Sequence, residues 1–84
     1  MRIETKSGFT ADLDESFRDD WEFVEALDMF MEGRAGSMVR LAKKLLDTKT
    51  YNALKEHCRE DGKVSATRMT DEILEILTSA GKNS

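Results

Sequence analysis

Glycine supplies nearly all the sharp punctuation in this chain, because proline is absent and five glycines stand at positions 8, 33, 36, 62 and 81. Proline and glycine are the residues that most often stop helices and set turns, so these glycines cut the chain into segments of plausible element length. No internal repeat and no low-complexity run competes with that division, and residues 1–81 read as one domain with a short tail at 82–84.

Around the first glycine the pattern has period two. Ile3, Thr5, Phe9, Ala11 and Leu13 alternate with Arg2, Glu4, Lys6, Thr10 and Asp12, which predicts a hairpin over residues 2–13. A two-residue Ser7-Gly8 loop would set Ile3 opposite Asp12 and place a charge on the apolar face. A three-residue loop Lys6-Ser7-Gly8, with Gly8 left-handed, pairs Thr5 with Phe9, Ile3 with Ala11 and Arg2 with Asp12 instead, so the second register is expected. A lone hairpin is marginal in water, so its apolar face must lie on helices.

After residue 13 the period becomes helical. Asp14 or Ser16 can cap a helix over about 17–32 in which Phe17, Trp21, Val24, Leu27 and Met31 fall on one stripe, widened by Phe23 and Phe30. Met29 lies off that stripe. Ser37 can cap a second helix to about 46, with Met38, Leu41, Ala42 and Leu45 on one side and Arg40, Lys43 and Lys44 on the other. Tyr51, Leu54 and Cys58 mark a third over about 48–60, stopped at Asp61-Gly62. A fourth, about 66–80, has Ser65 as cap and a Val64–Met69 staple, with Gly81 closing it. The expectation is an α+β domain, mostly α: an N-terminal β-hairpin packed on a bundle of about four short helices. Trp21, Val24, Leu27, Leu41, Leu45, Leu54, Ile73 and Leu77 form its expected core.

Composition narrows the function. Charged residues are 36% of the chain, and the net charge of −4 gives no general pull toward nucleic acid or anionic membranes. No apolar run approaches the roughly 20 residues that cross a bilayer, and the start lacks the apolar stretch of a secretory signal, so a cytoplasmic protein without membrane contact is expected. The charge is uneven: residues 1–33 carry three basic and ten acidic side chains, residues 34–63 eight basic and four acidic. Internal complementarity is the favoured reading, with self-association between copies or a charged partner as the other.

Chemistry is sparse. Phosphate loops, zinc-spaced Cys/His clusters and nucleophile elbows are missing from the sequence. Adjacent helical residues point about 100° apart, so His57-Cys58 reads as an edge histidine beside a small core residue, not as a nucleophile with its base. Glu22 and Glu25, like Asp71 and Glu75, read as solvated helix faces. No catalytic residue, metal or cofactor is expected.

The order of short motifs is more distinctive than any one of them. Thr5-Lys6-Ser7-Gly8-Phe9 in the hairpin is followed by Asp19-Asp20-Trp21-Glu22 before Val24-Glu25-Ala26-Leu27. Leu45-Leu46, Tyr51-Asn52-Ala53-Leu54-Lys55-Glu56-His57 and Gly62-Lys63-Val64 come after. Over nearly its full length this pattern resembles the small tail assembly chaperones of long-tailed phages and prophages of Gram-positive bacteria. The resemblance implies a cytoplasmic, non-enzymatic binding protein, absent from the finished virion. Such a protein coats the tape measure protein and assists the tail tube protein in polymerising around it. The residues expected to meet the partner are Phe23, Met29, Phe30 and Met31, on the broad apolar and Met-rich end of the first helix. The alternative is an acidic regulatory protein of antitoxin or repressor-antagonist type that mimics DNA; it requires a basic partner and salt-sensitive binding.

Overall fold

The computed structural model describes residues 1–34 and 36–82, the last without its side chain. Strands β1 (Arg2–Glu4) and β2 (Thr10–Asp12) form the expected antiparallel hairpin, with Arg2 opposite Asp12, Ile3 opposite Ala11 and Glu4 opposite Thr10. The Thr5 N–H donates to the Phe9 carbonyl at 2.8 Å and the Gly8 N–H to the Thr5 carbonyl at 3.0 Å, closing the three-residue loop. Asp12 forms its ion pair with the N-terminal ammonium at 3.4 Å, not with Arg2. Gly8 has φ +93°, and a Cβ there would meet nothing within 4 Å, so any cost of a side chain is conformational. Gly8→Val is therefore expected to destabilise the protein by about 1 kcal/mol or more in a thermal melt, a β-branched residue being costly at positive φ.

The single helix expected over 17–32 is two pieces. A 3-10 helix, Glu15–Asp19, is capped by the Asp14 carboxylate, which accepts from the Ser16 N–H; that bond holds the carboxyl below its usual pKa. The chain then extends at Asp20, whose side chain accepts from the Glu22 N–H and starts α1, Trp21–Met31. An Asx cap in mid-run resets the helix phase, which periodicity counted straight through Phe17 misses. Gly33 ends α1 in a Schellman arrangement: its N–H donates to the Phe30 carbonyl at 3.0 Å, and the Arg34 N–H to that of Met29 at 3.2 Å.

Helix α2 spans Ser37–Leu45 and α3 spans Thr48–His57. Ser37 does not cap α2. Gly36 stands at the N-cap, and the Ser37 hydroxyl, buried, donates to the Arg34 carbonyl at 2.6 Å. Asp47 caps α3 by accepting from the Thr50 N–H at 2.7 Å, which also lowers its carboxyl pKa. The third helix stops three residues short of expectation. Beyond it β3 (Arg59–Glu60) and β4 (Lys63–Val64) form a second hairpin around Asp61 (φ +51°) and Gly62 (φ +81°). Both loop residues have positive φ, as a type I′ turn demands.

Helix α4, Ala66–Lys82, begins as expected, with the Ser65 hydroxyl accepting from the Arg68 N–H at 3.2 Å. It continues through Gly81 to Lys82. The remainder of the expected tail, 83 and 84, lies outside the described residues.

One core joins these elements. Ile3, Phe9, Ala11 and Leu13 of the hairpin are buried with Leu41, Leu45, Leu54, Cys58, Ile73 and Ile76. Leu27 and Leu77 are half-buried against that cluster. Two expected core residues are not there: Trp21 is 74% exposed and Val24 43%. Phe23 and Ala26 hold their places inside.

Candidate partner-binding surface on the first helix

What turns α1 is visible at its contact with α2. The Lys44 ammonium lies 2.7 Å from the Glu22 carboxylate and 3.7 Å from that of Asp20, and its hydrogen bond to Glu22 raises the lysine pKa. The Arg40 guanidinium approaches the Met29 sulfur at 3.6 Å. These contacts set the Glu22–Met29 edge against α2, and the fully buried Ala26 allows close approach of the two helices. Phe23 then points inward, edge-on to Phe17 with ring centroids 5.0 Å apart.

The opposite side faces water. Trp21, Val24 and Met31, the last 75% exposed, follow one another at helical spacing with exposed Asp28 between them. At 1.5 Å per residue the line from Trp21 to Met31 is about 15 Å long. Glu25 and Glu32 border it. Glu32 meets Arg34 at 3.1 Å, while among the described residues Glu25 and Asp28 have no cation within ion-pair distance.

The four residues expected at the partner surface therefore separate. Met31 is exposed, Met29 and Phe30 are half-buried, and Phe23 is in the core, 5% exposed. Trp21 and Val24 supply the exposed apolar surface instead. The basic stripe also divides: Lys44 is held by α1, Arg40 touches Met29, and Lys43 reaches the Tyr51 ring at 5.9 Å. Lys44 is thus one place where the acidic first part of the chain and the basic middle compensate each other internally.

A polar cluster at the hairpin tip was not legible in the sequence. The Glu72 carboxylate, on α4, accepts from the Thr5 hydroxyl at 2.7 Å and from the Ser7 hydroxyl at 2.9 Å, and Ser7 also contacts His57 Nε2 at 2.8 Å. Ser7 has one hydroxyl proton and gives it to Glu72, so the imidazole donates to Ser7. That direction is the reverse of a histidine acting as base toward a serine. The cluster is a clamp: Glu75 extends it by accepting from the Lys6 N–H at 2.7 Å, and the Phe9 ring lies 5.4 Å from that of His57. Cys58 is fully buried, and burial, aided by nearby Glu72, pushes its thiol pKa up and away from thiolate chemistry.

Among the described residues no group of three or more His, Cys, Asp or Glu side chains is placed to hold a metal, and no helix is long and apolar enough to cross a membrane. No family model matches the chain, and neither does any curated protein or solved structure.

Proposed function

We propose that this protein is a phage tail assembly chaperone that holds an apolar helical segment of the tape measure protein against the outer face of α1, assisting tail tube assembly in the host cytoplasm without remaining in the virion. The observation that carries the reading is the exposed line Trp21–Val24–Met31. A small domain with a thin core gains by burying its large apolar side chains, and here a tryptophan and a methionine remain in water on one face. Tryptophan is prominent among residues that dominate binding energies, and methionine adapts to irregular partners. Withdrawing a large apolar side chain from water contributes about 1.5–3 kcal/mol, so three of them support a weak, reversible contact that repeats along a long partner strengthen.

The test is co-expression with tape measure fragments followed by pull-down, comparing the wild type with Trp21→Glu and Met31→Glu. Both positions are exposed, so the variants should fold, which circular dichroism checks. The expected result is capture of at least one fragment by the wild type and loss in both variants, with wild-type binding persisting at moderate salt and Trp21 fluorescence shifting to the blue on binding. Undiminished capture by the folded variants removes α1 as the site. Capture of no fragment removes the chaperone reading. Binding that collapses with salt favours the acidic regulatory alternative, for which the exposed Glu25 and Asp28 would be the contact.

A further inference from the structure

On the side of the molecule formed by α2, α3 and α4, the two apolar residues of the Val64–Met69 staple are only half-buried. Together with Met38, Val39, Tyr51 and Ile73 they line a hollow of about 300 Å³. That volume is at the lower end of ligand-binding cavities. Leu46, Thr48 and Asn52 border a second hollow of about 380 Å³ that the same ring lines. Tyr51 and Lys55 line both, so the two form one groove with the tyrosine as its saddle.

The charge at the saddle is the opposite of that on α1. Lys55 and Lys43 hold their ammonium groups 5.4 and 5.9 Å from the centre of the Tyr51 ring. Among the described residues neither has a carboxylate within 4 Å, although the chain as a whole is acidic. Lys44, Arg18, Arg34, Arg59 and Arg68 each meet a carboxylate, whereas Lys43 and Lys55 meet the Tyr51 ring. Two cations gathered on one ring beside a methionine-lined hollow leave an anionic position and an apolar position side by side.

We propose that this groove is a second docking site and that its occupant is an acidic peptide segment with an apolar side chain next to a carboxylate. The apolar side chain enters the hollow between Met38 and Met69, where two flexible thioethers accommodate different shapes. The carboxylate sits at the saddle with Lys43 and Lys55. Apolar burial supplies the affinity, and the lysines select the sign of the partner's charge and speed encounter. The site shares no residue with the α1 line, so it stands whether or not α1 binds a tape measure protein.

The experiment is a titration of the isotopically labelled full chain, followed by amide chemical shifts, with an acetylated hexapeptide of alternating leucine and glutamate and with its leucine–lysine twin. The expected result is shifts at Val39, Tyr51 and Met69 with the glutamate peptide only. Binding should weaken roughly tenfold or more in the Lys43→Glu/Lys55→Glu double variant, since one favourable charge pairing becomes a repulsion. Val39→Glu, at a position 48% exposed, should fold normally and obstruct the apolar hollow, abolishing the shifts. Equal binding of the two peptides, shifts confined to α1, or none at millimolar peptide would overturn the proposal. So would tighter binding of a short oligothymidylate, which would make the lysines a phosphate contact, or groove shifts that depend on protein concentration alone, which would assign the groove to a second copy.

Discussion

Leu54→Ala is expected to remove a large share of the protein's stability and to lower its melting temperature markedly. Leu54 is fully buried in the layer that also contains Leu41, Ile73 and Ile76, all fully buried. Truncating such a leucine removes its transfer free energy and opens a cavity, together about 2–5 kcal/mol. A chain of this length has about 4–12 kcal/mol of total stability, so the loss takes a large share of it. Thermal unfolding followed by circular dichroism should show a lowered and broadened transition. Leu74→Ala, at a position 37% exposed one residue past Ile73, serves as the comparison and should shift the midpoint little. Similar melts for the two variants would mean that Leu54 does not sit in the buried core with Leu41, Ile73 and Ile76 as described.

The second large effect is expected from Glu72→Ala. Glu72 is 7% exposed and accepts from two hydroxyls, one of which, on Thr5, is itself buried. Hydrogen bonds to a charged group contribute more than neutral ones, and a buried hydroxyl left without its acceptor is penalised in addition, so a loss of about 2–3 kcal/mol is expected. The loss should be local in origin. Amide exchange of the hairpin should rise before that of α2 and α3, because Glu72 and Glu75 are what fasten its tip to α4. Glu75→Ala removes one exposed hydrogen bond, to the Lys6 N–H, and should have a much smaller effect. Equal effects of the two variants, or hairpin exchange unchanged in Glu72→Ala, would show that the buried carboxylate is not the clamp.

The first hairpin was legible down to its register because only one pairing keeps every charge off the buried face. The helix count and the Ser65 cap were legible for a similar reason: each has a local signal that tertiary packing does not overrule. Helix α1 was not, since apolar residues occupy most of its circumference and two faces compete for the core. Bulk favours the Trp21 side, yet the side with Ala26 packs inward, because a small residue lets α1 and α2 approach and Lys44 holds them in that phase. The second hairpin is hidden in the sequence for another reason. Asp61-Gly62 serves equally as a helix stop and as a type I′ turn, and the two flanking residues on each side are too few to show alternation. The Thr5–Ser7–His57–Glu72 cluster carries no pattern at all, because its members are brought together only by the fold.

That clamp also governs the order of assembly. Thr5 and Glu72 are 67 positions apart, and Lys6 and Glu75 are 69 apart, so the hairpin cannot be fastened until α4 has been synthesised. The pairing of α1 with α2 is local by comparison and closes a short loop, which makes it the cheaper contact in chain entropy and the one available first. A growing chain is accordingly expected to bring α1 and α2 together while Ile3, Phe9 and Leu13 are still in search of α4. During synthesis the apolar hairpin is the part most open to wrong partners, and α4 is the element that retires it.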